Sequence, residues 1–232
     1  MLNNLLKEIQ SYANPEKAKI YQRFFKTGKG EYGEGDIFLG LTMPQQREIA
    51  KKYKELSFSQ INKLLDSKIH EHRMQAGILL TKKAKLFPEE TFNFYLKHAK
   101  KFNNWDLVDV TCTRTVGEFL LDKPKQRKIL YDLAKSKNLW EKRVAIVSTF
   151  SFIRKNQLGD TLKISEFLLK DKHDLIHKAI GWMLREVGKK DKKVLVDFIK
   201  TTYKNIPRTT LRYSIERFPE EERKKILLGE LN

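Results

Sequence analysis

Trp105 and Trp140 stand 35 residues apart (140 − 105), and the same offset carries Asn103 onto Asn138, Asp106 onto Glu141 and Arg143 onto Lys178. One step earlier it carries Glu71 onto Asp106, and Ala76, Ala145 and Ala179 fall near one phase. A period of about 35 residues accommodates two helices per unit. Such a unit cannot bury its apolar face alone and does so by stacking on its neighbours. The recurrence therefore predicts an all-α chain, an α-solenoid of HEAT/armadillo-like repeats, about six helical pairs stacked right-handedly, and a single domain over residues 1–232. A generic helical bundle is the alternative.

Helical spacing of apolar residues runs along the chain. "TFNFYLKHAKKF" places Phe92, Tyr95, Leu96 and Ala99 on one stripe, and "QINKLLDSKI" does so with Ile61, Leu64 and Leu65. No Asn-Gly or Asp-Gly hairpin signal is present. Pro15, Pro44, Pro88, Pro124, Pro207 and Pro219 read as helix starts, as in "NPEKA". The stretch Lys26–Pro44, with Gly28, Gly30, Gly33, Gly35 and Gly40, reads as a long loop after the first helical hairpin.

Charge narrows the partners. Forty-seven Lys and Arg against 29 Asp and Glu give a net charge of +18 and a pI near 9.8. That favours an anionic partner, nucleic acid before an acidic membrane surface. One cysteine, Cys112, allows no intramolecular disulfide and fits a reducing cytoplasm. The start "MLNNLLKEIQSY" lacks a signal peptide's basic region, and "VAIVSTFSFI" is too short to span a bilayer.

Several chemistries find no motif. The glycine-rich loop lacks the phosphate-loop order and the dinucleotide fingerprint. His173 and His177 lie one turn apart in "HDLIH", with no cysteine cluster to complete a zinc site, and the histidines of "HEHR" alternate across a helix. Cys112 has no marked partner, and no serine elbow or paired carboxylates appear. No metal and no cofactor are expected.

In "NNWDLVDVTC" two aspartates follow a tryptophan within four residues, with no cation among them. Trp105 and Asp109 are i and i+4 on one helical face, with Asp106 turned away. In a solenoid, equivalent inner-helix positions line one concave surface. That surface would be basic and would present Trp105 with Asp109, then Arg143 and Arg154, then Trp182 with Arg185. Aromatic faces interleaved with cations suit nucleic acid. Plainer readings stand beside this one. Trp140 reads as a core anchor, Asp106 as a helix cap or helix-dipole partner, and Arg143 as a partner for Glu141 or Asp109.

"YGEGDIFLG", "HEHRMQAGILL", "NNWDLVD", "KRVAIVSTFSFI", "HKAIGWMLREVGKKD" and "PRTTLRYSIERFPEEER" together resemble the AlkD-type DNA alkylation repair proteins, which are HEAT-like-repeat DNA glycosylases. The resemblance covers almost the whole chain, and "WDLVD" with "GWMLREVGK" is its most specific part. It implies hydrolysis of the N-glycosidic bond of N3- and N7-alkylated purines in duplex DNA, without metal or small-molecule cofactor, by a monomer. On the same resemblance the catalytic group is Asp109, with Trp105, Trp182 and Arg143 beside it, and Arg185, Arg154, Arg47 and Phe24 meet DNA. Phe24 stands where relatives can carry tyrosine. Ser151 stands where some carry lysine, with Arg154 the stand-in.

The implied chemistry explains a lone carboxylate. Most glycosidic cleavage employs two, one to protonate the leaving group. An alkylpurine that is already cationic leaves as a neutral base and needs no acid. Asp109 would then stabilise the oxocarbenium-like sugar and orient water. The rival is a non-catalytic HEAT-like scaffold that binds DNA or protein. An RNA-binding helical repeat ranks third, because no repeating two-residue base code is visible.

Overall fold

The structure, a computed structural model, describes residues 1–230, and among them regular structure is helical. One isolated parallel bridge, Ile37 with Ile69, is the sole β pairing among the described residues. The all-α expectation holds. Contacts gather into two compact units that meet in sequence between Thr111 and Cys112, and each is described in turn.

In the first unit, α1 (Leu2–Ser11), α2 (Pro15–Phe24), α3 (Met43–Lys52), α4 (Phe58–Leu65), α5 (His70–Lys83), α6 (Pro88–Lys97) and α7 (Trp105–Cys112) follow one another. Their starts are set locally. Asn14 caps α2 through Lys17 N at 3.0 Å, and Thr42 with Gln45 and Ser57 with Gln60 form capping boxes on α3 and α4. Pro15, Pro44 and Pro88 occupy first-turn positions, as read. The predicted stripe of α4 is buried, with Ile61, Leu64 and Leu65 at most 3% exposed. On α6, Phe92 and Tyr95 are buried and Leu96 is half-buried, while Ala99 lies past the helix in a 3₁₀ turn.

Helix α5 is the centre of this unit. It packs against α1, α3, α4 and α6 and is buried around its whole circumference rather than along one stripe. A Cβ on its Gly77 would lie 2.6 Å from Cγ2 of Thr111, so glycine there permits the close approach of α7.

The expected loop is real but not slack. Between α2 and α3 it turns repeatedly, and its far end is held by a buried carboxylate. Glu71, 1% exposed, accepts the main-chain N–H of Leu39 (2.9 Å), Gly40 (2.8 Å) and Leu41 (3.3 Å). Gly40 has φ +89°, and a Cβ there would stand 2.3 Å from the carbonyl oxygen of Asn14. Only glycine suits that position.

The second unit opens on a π turn, Thr113–Gly117, and a short α8 (Glu118–Leu120), followed by a 3₁₀ turn at Pro124–Arg127. Then come α9 (Lys128–Ala134), α10 (Leu139–Val147), α11 (Phe150–Arg154), α12 (Gly159–Leu168), α13 (Asp174–Lys190), α14 (Lys192–Thr202), α15 (Arg208–Ser214) and α16 (Glu220–Leu228). Helix α13 is central here, packed by α10, α12, α14 and α15. A Cβ on Gly181 would meet Cβ of Tyr213 at 2.4 Å, which explains how closely α15 lies on it. Pro124 opens its 3₁₀ turn, and Pro207 and Pro219 stand at the N-caps of α15 and α16. Cys112, at the unit's first residue, is fully buried.

Helices α5, α7, α10 and α13 begin at residues 70, 105, 139 and 174, so at intervals of 35, 34 and 35. The entry motif recurs too. Ser67 Oγ accepts Ile69 N, Ser136 Oγ accepts Asn138 N, and Asp171 Oδ1 accepts His173 N, each two residues before the helical segment's N-cap turn closes.

Candidate functional site

Asn104 starts α7 by accepting the N–H of Trp105 at 2.8 Å. The indole is then fixed from three sides. It stacks on Phe25 (centroids 5.3 Å apart, planes at 21°), meets Phe24 edge-on at 6.0 Å, and donates Nε1–H to the Tyr32 hydroxyl at 3.3 Å. Tyr32 comes from the glycine-rich loop, so that loop serves the indole. Asp109 follows one turn later on the same face and is half-buried, as is Trp105. Phe24, at the end of α2, is 61% exposed, and Arg47 is exposed on α3.

Asp106 lies in the first turn of α7, as a cap or dipole partner would, and one of its oxygens takes the N–H of Leu107 at 2.8 Å; beyond that reading, it also accepts from Nε2 of His70 at 2.8 Å. His70 Nδ1 faces Asp36 at 3.3 Å, and Asp36 pairs with Arg73 at 2.6 Å. The imidazole stacks 4.4 Å from Phe38 and lies 5.2 Å from Phe25. This network ties the loop, α5 and α7 together behind Trp105, and no sequence motif marks it.

The two histidines of "HEHR" are driven apart. Burial works against a charge on His70, but the Asp106 carboxylate and the hydrogen bonds to Asp106 and Asp36 outweigh it, and the pKa rises to about 9. Burial, with the Arg73 charge, pushes His72 down to about 4, and its Nδ1 contacts Ser67 Oγ. His70 is charged at neutral pH and His72 is not.

Each shift sets a limb of stability against pH. His70 stabilises fully below its unfolded value near 6.5, and the gain is lost as pH rises through about 9. His72 stabilises above about 6.5, and its contribution is lost as pH falls towards 4. The alkaline limb amounts to about 3 kcal/mol at most. Chemical unfolding at pH 7 and 9.5 should show it, and His70→Gln should flatten the difference; an unchanged alkaline slope in that variant would count against the network.

The second unit holds the remaining residues. Arg143 on α10 is 5% exposed and donates Nη1–H to the carbonyl of Leu175 at 2.7 Å. Trp182 on α13 is half-buried, 5.9 Å from Phe150. Arg185, one turn on, forms ion pairs with Glu216 and Glu186. Arg154 is exposed at the end of α11. Ser151 is buried and donates to the carbonyl of Thr113 at 2.8 Å. Trp140 is 6% exposed, as expected of a core anchor. His173 caps α13 by accepting Leu175 N, and His177 Nε2 bonds the carbonyl of Asp171 at 2.5 Å. Their ring nitrogens are committed to helix entry.

An all-helical chain of two helix-packed units, carrying an indole fixed beside a carboxylate and a large positive charge, has the features of a nucleic-acid-acting helical protein. Residues 5–218 match the family model described as DNA alkylation repair enzyme, and the chain belongs to that family. The fold agrees with that of a predicted DNA alkylation repair enzyme from Enterococcus faecalis, at TM-score 0.74 and 17% identity, over 90% of this chain and 97% of that one. No curated protein matches the chain by sequence. No described helix is long and apolar enough to cross a membrane.

Proposed function

We propose that this protein is a DNA glycosylase of the AlkD type, built of HEAT-like helical pairs, that hydrolyses the N-glycosidic bond of cationic N3- and N7-alkylated purines in duplex DNA. The observation that carries the proposal is Asp109 one helical turn from an indole whose plane is set by Phe25 and Tyr32. A developing oxocarbenium ion is stabilised by a carboxylate held in place beforehand and by the π face of an adjacent aromatic ring. The leaving base carries its own positive charge, so one carboxylate suffices. Membership of the DNA alkylation repair enzyme family supports the choice of substrate.

In this scheme Trp182 offers a second aromatic face, Arg143 places charge near the reacting sugar, and Arg185, Arg154, Arg47 and Phe24 meet the DNA strand. No metal or cofactor takes part, and the protein works as a monomer. Incubation with duplex DNA containing 7-methylguanine, scored for abasic sites, separates this reading from that of a binding scaffold. A scaffold binds the duplex and releases no base.

Binding should be dominated by phosphate neutralisation and fall steeply with salt. Arg185→Ala should weaken duplex binding alike for all sequences and reduce the slope of log K against log[salt] by about one. Because Arg185 is ion-paired to Glu216, phosphate must compete with that carboxylate, and Glu216→Gln should strengthen binding. Salt-independent binding measured by fluorescence anisotropy would contradict the assignment.

A further inference from the structure

The second unit carries an open groove of about 550 Å³ between the end of α9 and α12, and no residue given a role on DNA lines it. Both helices pack on α10. The floor of the groove is apolar, with Ala134 and Leu168 at 3% and 2% exposed, and Phe167 stands beside them 49% exposed. Among the described residues Phe167 has neither a ring partner nor a cation over its face. Single exposed aromatics are common on soluble proteins. What sets this one apart is the charge around it.

Four lysines and two carboxylates line the groove. Lys142 and Asp171 pair at 2.5 Å, and Asp171 also takes the N–H of His173 at 2.8 Å, so that pair is committed to the turn before α13. Lys135, Lys163 and Lys170 are exposed and form no ion pair among the described residues, although Glu166 lies about one turn from both Lys163 and Lys170. Lys135 and Lys170 stand 35 residues apart (170 − 135), each just past the end of its helix. A cation there complements the helix dipole. Lys163 lies in the middle of α12 and has no such local account.

This pattern selects an occupant. Two positive charges are left over, which favours an acidic partner. A nucleic acid strand brings an unbroken run of phosphates, and these would have to pass Glu166, on the same face of α12 as Lys163 and Phe167. A bilayer surface is flat and does not enter a groove. A peptide can set one carboxylate against each lysine, offer a main-chain N–H to Glu166, and lay an apolar side chain on Phe167.

We infer that this groove docks an acidic peptide segment of another protein. An aromatic or leucine side chain anchors it against Phe167, Leu168 and Ala134, and its carboxylates meet Lys135, Lys163 and Lys170. This surface is separate from the residues assigned to DNA and stands whether or not the chain cleaves alkylpurines.

The test is an NMR titration of the isotopically labelled full chain with a capped peptide of sequence EELFEE, with its charge-reversed counterpart KKLFKK, and with a single strand of ten thymidines. EELFEE should give saturable shifts at the main-chain amides of Lys163, Glu166 and Phe167 that weaken as salt rises. KKLFKK should give none. Phe167→Ala removes the anchor and should weaken binding about tenfold or more. Lys163→Glu turns an attraction into a repulsion and should weaken it about five- to tenfold at low salt. Glu166→Gln should tighten it, which a misfolded variant could not do. The inference is overturned by absence of saturable shifts at millimolar EELFEE, by equal response to KKLFKK, or by unchanged affinity in Phe167→Ala. Shifts at these amides as large with the oligonucleotide as with EELFEE would also overturn it and give the groove to nucleic acid.

Discussion

Asp109→Asn is expected to lower excision of 7-methylguanine from duplex DNA by about two to four orders of magnitude, the size of losing one preorganised electrostatic group. The substitution keeps the side chain's shape and removes its charge. Asp109 sits within α7 between Val108 and Val110, one turn past Trp105. Duplex binding should be unchanged or tighter, because a charge that repels phosphate is gone. Trp105→Ala should cost less in rate, since it removes one flat face and leaves the carboxylate. Substrate choice gives the sharper check. Uracil and hypoxanthine are uncharged and leave poorly without protonation, so neither should be released. Efficient uracil release, or an Asp109→Asn enzyme as fast as the wild type, would return the protein to the scaffold class.

Glu71→Ala should be the most damaging single change to the first unit, at about 3–5 kcal/mol. Three main-chain N–H groups, those of Leu39, Gly40 and Leu41, then lose their acceptor at once. Gly40 and Leu41 are buried, so water cannot easily replace it. Near the melting point this corresponds to a fall of roughly 10 °C for a chain of this length. Glu71→Gln keeps one acceptor oxygen and should recover part of the loss. Calorimetry measures the fall, and hydrogen exchange should show loss of protection at Leu39–Leu41 first. A melting temperature within a degree or two of wild type for Glu71→Ala would remove the carboxylate from its assigned role.

Much of the architecture was legible because its causes are local. Proline at helix starts, Asn14 before α2, and the stripe of α4 all act within one or two turns, and each was where the sequence put it. The 35-residue offset was legible for a related reason: what repeats is a helix entry, with a side chain capping the backbone two residues on, and such entries need particular residue types at fixed spacing. Around Trp105 the causes are not local. Tyr32 is 73 positions from the indole it binds, and Asp36 is 34 from His70. Nothing in "HEHR" distinguishes the histidine that will be charged from the one that will not. That follows from where the carboxylates of the loop and of α7 arrive after folding. Asp106 serves its own first turn as read, through the N–H of Leu107, but its second partner, His70, lies on another helix and no local pattern announces it.

Cys112 gives the protein an internal clock. It is the chain's one thiol, and it is fully buried in the same helix that carries Asp109. A thiol reagent can reach it only while that stretch is open, so when opening is fast the rate of labelling equals the open fraction multiplied by the reagent's intrinsic rate. The wild-type chain thus reports, with no engineered probe, how often the helix of the proposed catalytic carboxylate comes undone. The same readout in DNA-bound protein measures how far the duplex holds it shut.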